Sequence, residues 1–185
     1  MKVRRLIDLS MTINPTDSNW GRDSQWGADI REALFKIKPY IFSYDGCLVE
    51  DIEMWSHIGT HIEAPYHQVG MKKGKTIGEM PIESLVGEAV VLDVSHVGAE
   101  DKPRIVELDE RYAYVCGKAV EASHLARFDD KVQKGDIVFL RSKFRGKDRP
   151  ILGRSAAEWL LDRHVKCVGT NDESIIFDRT AHENL

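Results

Sequence analysis

A chain of 185 residues, 42% hydrophobic and 30% charged, suits one domain, which at this size buries about 70% of its unfolded surface. Its formal net charge of −4 excludes the basic balance that selects nucleic acid or an anionic membrane surface as a partner. No apolar run approaches the ~20 residues that span a bilayer, and Asp8 interrupts the basic start Met1–Ser10, so neither a membrane span nor a signal peptide is expected.

Along the chain, apolar and β-branched runs predict strands at Arg5–Leu9, Tyr40–Ser43 and Leu48–Trp55, then at Ala89–Val94, Asp136–Arg141 and Lys166–Thr170. Helical spacing is read at Ala28–Ile37, Glu121–Phe128 and Ser155–Arg163. The last is the clearest: Ser155 and Glu158 have the spacing of a capping box, and Ala156, Trp159 and Leu160 share one face. Gly153 precedes that helix, and Val165–Val168 follows it as a strand. Between Thr16 and Trp26, Asn, Asp, Ser and Gly with Trp20 and Trp26 read as a surface loop, either a packed flap or a substrate platform. Strands outnumber helices and the order is mixed. The expected fold is α/β, one domain over residues 1–185 with a mixed sheet. Cys47, Cys116 and Cys167 show no paired spacing and no CxxC, which favours a reducing cytoplasm and three small buried thiols.

Histidine is scarce, yet three of the seven fall in His57-Ile-Gly-Thr-His61-Ile-Glu63-Ala-Pro-Tyr-His67. Neutral imidazole and carboxylate are the ligands that zinc, manganese and iron take in catalytic sites. In a straight strand His57 and His67 would stand roughly 33 Å apart, too far to share a metal cluster. The segment must bend, and Gly59 and Pro65 are where it can. A lone histidine is usually an ordinary surface or core residue, and His96, His124 and His164 are read as ordinary surface or helix-end residues. Four ligand-type residues within eleven are harder to dismiss. No G-x-S-x-G elbow and no glycine-rich phosphate loop after a strand occurs, which removes serine hydrolase and nucleotide-binding readings.

The same segment resembles the H-x-G-T-H-x-D-x-P-x-H motif of the cyclase family, which includes bacterial kynurenine formamidases and isatin hydrolases. The resemblance covers essentially the whole chain: Ile7-Asp8-Leu9-Ser10, Val90–Val94, Asp136–Arg141, Ser155–Leu160, Val168–Thr170, Ser174 and Ala181-His182 fall in the family's order. It implies a partly barrel-like sheet with flanking helices, of swivelling β/β/α type. It implies hydrolysis of a formamide or cyclic amide by water activated on one or two divalent ions, Zn or Mn. The implied ligands are His57, His61, Glu63 and His67, with Glu63 the bridge if two ions bind. His182 is implied as the proton shuttle to the leaving nitrogen, or else as a further ligand; His67 and Glu63 stand with it among the catalytic residues. Thr60 is either a support for a ligand or a turn residue. The implied partners are a small amide substrate and further copies of the chain, as a homodimer or homotetramer, without nucleic acid or membrane.

The chain departs from the family pattern at three places. Glu63 stands where the family has Asp, lengthening the carboxylate by one methylene. Asn171 stands where many members have Asp, removing a charge. Glu183-Asn184-Leu185 matches a later family element by its letters but lies directly beside His182, so the usual C-terminal segment, with its carboxylate ligand, is expected to be missing. These departures keep two alternatives open: a metal- or ligand-binding relative without turnover, and a metal-assisted cyclase or dehydratase.

Overall fold

Phe35 to Met54 fold as a hairpin because apolar and charged residues alternate on both arms. In the computed structural model β1 (Phe35–Ile41) and β2 (Leu48–Met54) pair antiparallel, with Phe35 opposite Met54 and Ile37 opposite Ile52 on one face. The other face carries opposite charges in register, Lys36 against Glu53 and Lys38 against Asp51, the first pair 3.9 Å apart. The helix expected over Ala28–Ile37 is therefore corrected for Phe35–Ile37, where cross-strand pairing outweighs a marginal helical spacing. The structure describes residues 5–13, 35–41, 46–54, 56, 59–69, 74–98, 104–109, 112–116, 119–144 and 150–171. Residues 28–34 and the tryptophan loop Thr16–Trp26 lie outside these.

Residues 5–9, expected as a strand, have no regular secondary structure. Asp8 diverts the backbone there: its carboxylate accepts the Ser10 N–H at 2.8 Å, a local turn that competes with ladder pairing. That bond also holds the Asp8 carboxyl below the usual range. The chain divides into two units, Met1–Glu63 and Ala64–Leu185, and the hairpin lies in the first.

The second unit is organised by a parallel sheet, in the order β3 (Ala89–Asp93), β7 (Ile137–Arg141), β9 (Cys167–Thr170). All three strands were expected, each within a residue at either end. Leu92, Val138 and Leu140 point to one side and are buried with Val94, Leu125, Ala156 and Leu160. Val91 and Phe139 alternate to the opposite side and are exposed. Phe139 lies across Gly169; a Cβ at Gly169 would come within 2.5 Å of the ring, so this close approach requires glycine. Four strands went unforeseen. β4 (Arg104–Asp109) and β5 (Tyr112–Cys116) form a hairpin broken by a bulge between Glu107 and Asp109, and β6 (Ala119–Val120) pairs β8 (Ile151–Leu152) in parallel.

α1 (Pro65–Val69) is a short helix of the second unit, which also holds the helices expected after residue 120. α2 (Ala122–Leu125) continues as a 3-10 turn, Ala126–Phe128, within the expected helix Glu121–Phe128. α3 (Arg154–Asp162) buries the expected face of Ala156, Trp159 and Leu160. Its N-cap, however, is Gly153 and not Ser155. Ser155 is occupied elsewhere: its hydroxyl donates to the Glu121 carboxylate and accepts the Ala122 N–H at 2.9 Å. Glu158 pairs instead with Arg154, four residues earlier, at 2.9 Å. At the helix end His164 takes a left-handed φ of 53°, and its N–H closes on the Leu161 carbonyl at 2.8 Å.

The architecture is mixed α/β with more strands than helices, and no barrel closes among the described residues. No described helix is long and apolar enough to cross a membrane. The expectation of buried thiols is corrected. Cys47 is exposed, Cys167 is only half-buried, and burial pushes the Cys167 thiol pKa up. Cys116 falls in β5.

Candidate functional site

The histidine segment bends where glycine and proline allow it. Gly59 has a φ of 67°, a left-handed turn that residues with a Cβ rarely adopt. Pro65 opens α1, where a missing N–H costs nothing and its fixed φ already suits a helix. The Tyr66 N–H reaches the Lys75 carbonyl at 3.0 Å, and the His67 N–H reaches Ala64 at 2.9 Å. The backbone turns expected at Gly59 and Pro65 are present.

In the first unit the turn brings His61 and Glu63 together, with the His61 Nε2 3.4 Å from the Glu63 Oε1. The other ring nitrogen, Nδ1, lies 2.9 Å from the Gly59 carbonyl. A carbonyl can only accept, so Nδ1 must carry the proton that is shared with it. In a neutral ring the Nε2 is then a lone pair, and it faces a carboxylate oxygen that is also an acceptor. Two acceptors turned toward each other call for a cation between them: a proton, or a divalent ion of the kind imidazole and carboxylate bind. That donor set fits a metal. Both side chains are partly open to solvent.

His67 belongs to the second unit, in the last turn of α1, where it is exposed. His57 and His182 lie outside the described residues, as does Glu183. Among the described residues, no group of three or more His, Cys, Asp or Glu side chains converges on one point. Thr60 makes a contact that its letter could not reveal: its Oγ1 accepts the N–H of Met11 at 2.9 Å. The Gly59 carbonyl is the other participant the sequence hid, because a backbone oxygen leaves no trace in composition.

The remaining histidines keep the ordinary roles read for them. The His96 and His124 rings meet edge to face at 5.8 Å, and the His124 Nδ1 accepts the Glu121 N–H at 2.9 Å. His164 closes α3. Asn171 does more than omit a charge. Its Oδ1 accepts the Ser142 N–H and its Nδ2 donates to the Ser142 carbonyl, both at 3.0 Å, tying the end of β9 to the end of β7. Aspartate could accept but not donate, and would set a carboxylate against a carbonyl. Asn171→Asp is expected to cost about 1–3 kcal/mol and to lower Tm by roughly 2–4 °C for each kcal/mol. Thermal denaturation decides it, and an unchanged Tm would remove Asn171 from the framework.

Against known proteins, the Cyclase family model matches residues 7–175. The chain is 25% identical over 172 residues to a kynurenine formamidase of Erythrobacter litoralis, covering 93% of this chain and 68% of that protein. It is 24% identical over 184 residues to a kynurenine formamidase of Bacillus cereus, covering 95% of this chain and 72% of that one. A solved structure described as a predicted metal-dependent hydrolase from Bacillus stearothermophilus superposes with a TM-score of 0.53 at 25% identity, over 79% of this chain. The present chain spans 62% of that solved chain, less than two thirds of its length.

Proposed function

Since this chain belongs to the Cyclase family, we propose that it hydrolyses an amide C–N bond, that of a formamide or a cyclic amide, with the help of a divalent metal. The observation that carries this reading is the His61 Nε2 turned toward the Glu63 carboxylate 3.4 Å away, with Nδ1 at the Gly59 carbonyl. Kynurenine formamidases among the relatives and a metal-dependent hydrolase among the solved structures support the same chemistry. On this reading His57, His61, Glu63 and His67 would hold zinc or manganese, one or two ions per chain. Bound there, such an ion makes water acidic enough to attack near neutral pH and polarises the scissile carbonyl. The protein's share is to fix donors in place. The Gly59 carbonyl keeps the proton on the His61 Nδ1 and so leaves Nε2 as the donor. His182 is assigned the proton delivered to the leaving nitrogen.

The test is elemental analysis of purified protein beside formate release from N-formylkynurenine and ring opening of isatin. About one to two divalent ions per chain with turnover of either substrate is expected. Metal without turnover would leave a binding protein, and water released where hydrolysis should consume it would indicate a cyclase or dehydratase.

The same reading includes self-association as a homodimer or homotetramer. The apolar face of the β1–β2 hairpin supports it, because Ile52 and Met54 there are 54% and 47% exposed. A two-stranded sheet with one such face is marginal by itself. Light scattering at micromolar concentration is expected to give at least twice the 21.0 kDa chain mass, and a clean monomer would overturn this part.

A further inference from the structure

The turn that carries His61 is shaped locally and tied down at a distance. Gly59 lends its carbonyl to the His61 Nδ1 at 2.9 Å, and the His61 Nε2 faces Glu63, so both contacts reach only two residues along the chain. Thr60, between Gly59 and His61, reaches further: its Oγ1 accepts the Met11 N–H at 2.9 Å, a bond that spans 49 residues. The Met11 end is presented by a device of its own. The Asp8 carboxylate accepts the Ser10 N–H at 2.8 Å, a side-chain-made turn that ends directly before Met11. Residues 5–13 have no regular secondary structure, so no strand ladder holds them there. A bond of this kind restrains both of its ends, the N-terminal segment and the backbone from which the His61 ring projects.

We infer that Thr60 is a positioning residue for the metal site, coupling the Asp8–Met11 turn to His61 so that an ordered turn and a bound ion favour one another. The inference rests on the reading that His61 and Glu63 hold a divalent ion. Donors whose backbone is already restrained lose less freedom when the ion binds, which raises affinity without adding a contact to it. Linkage makes the effect reciprocal: whatever factor the tether adds to ion affinity, the ion must add to the tether. One exposed hydrogen bond limits that factor to roughly 3–10-fold. Thr60 acts through its oxygen as an acceptor; valine keeps the shape and cannot accept, whereas serine can. Asp8 likewise acts as an acceptor, a role that asparagine preserves and alanine removes.

The experiment measures the Zn²⁺ Kd of the purified full chain by chelator competition, and the hydrogen exchange of the Met11 amide with and without Zn²⁺. Thr60→Val and Asp8→Ala should each raise Kd ~3–10-fold, while Thr60→Ser and Asp8→Asn stay within ~2-fold of wild type. The Asp8 variants carry the test if Thr60→Val fails to fold. Thr60→Val combined with Asp8→Ala should be no weaker than Thr60→Val alone, because both break the same path. Zn²⁺ should slow Met11 exchange in wild type by a similar factor and leave it unchanged in Thr60→Val. An unchanged Kd in Thr60→Val, or Met11 exchange indifferent to Zn²⁺ in wild type, would overturn the inference. So would an Asp8→Asn chain as weak as Asp8→Ala, which would place the effect on charge. A loss of affinity beyond ~100-fold in Thr60→Val would also overturn it, by making Thr60 act on the ion itself. His61→Ala separates the two readings. If it binds Zn²⁺ as wild type does, the ligand assignment fails and the coupling falls with it. If its affinity collapses while Thr60→Val is indifferent, only the coupling fails.

Discussion

His61→Ala is expected to strip most of the divalent ion from the purified protein and to lower turnover by at least ~100-fold. The alanine removes a donor nitrogen whose orientation is already fixed, with Nδ1 bound to Gly59 and Nε2 facing Glu63 3.4 Å away. It also leaves the Glu63 carboxylate without its neighbour, and disturbing even the partners of metal ligands costs ~10–100-fold in affinity. Elemental analysis after dialysis reads the result directly, and full metal retention would remove His61 from the ligand set. Glu63 supplies the matching contrast. Glu63→Gln keeps the length but loses the charge and should bind metal ~10-fold or more weakly, whereas Glu63→Asp should keep metal and shift which ion supports activity. Equal metal affinity in wild type and Glu63→Gln would show that the carboxylate is not a ligand.

His182→Ala is expected to slow turnover by about 10²–10⁴-fold, the usual cost of losing a positioned proton donor, while Tm and metal content stay at their wild-type values. The assignment comes from sequence resemblance, because Ala181-His182 follows Val168-Gly-Thr170 and Ser174 in the family's order. A leaving amine departs poorly without a proton, so a shuttle is required somewhere. His124 has its Nδ1 engaged by the Glu121 backbone, and His164 terminates a helix. Unchanged turnover in the variant would make His182 an ordinary surface residue. Metal loss together with rate loss would make it a ligand instead.

How far these features could be read from letters depended on what kind of interaction sets each one. The parallel strands β3, β7 and β9 were legible because burial of Leu92, Val138 and Leu140 demands apolar, β-branched runs that stand out in any sequence. The face of α3 was legible for the same reason. Its cap was not, since Ser155 has a cap's chemistry but found a stronger partner in Glu121, 34 residues away in sequence. Residues 5–9 and 35–37 were misread where a single local contact or a cross-strand pairing overrode a weak periodic signal. The short strands β6 and β8, two residues each, lie below the length at which periodicity exists. In the site, the bends at Gly59 and Pro65 followed from residue type and spacing. The tautomer of His61 and the tether to Met11 did not, because a backbone carbonyl and a backbone N–H make them.

The parallel pairing of β3 with β7 also fixes a timetable. Ala89 meets Ile137, and Ile137 meets Cys167, so each rung of this sheet must close a long loop before it gains a contact. The β1–β2 hairpin has its partners close along the chain and is the sort of element that forms in about 1–10 μs. During synthesis, Leu92 can meet its register partner Leu140 only after residue 140 has emerged, and β9 joins them later still. This three-stranded sheet is thus completed late, and until then its apolar strands are exposed to misassociation.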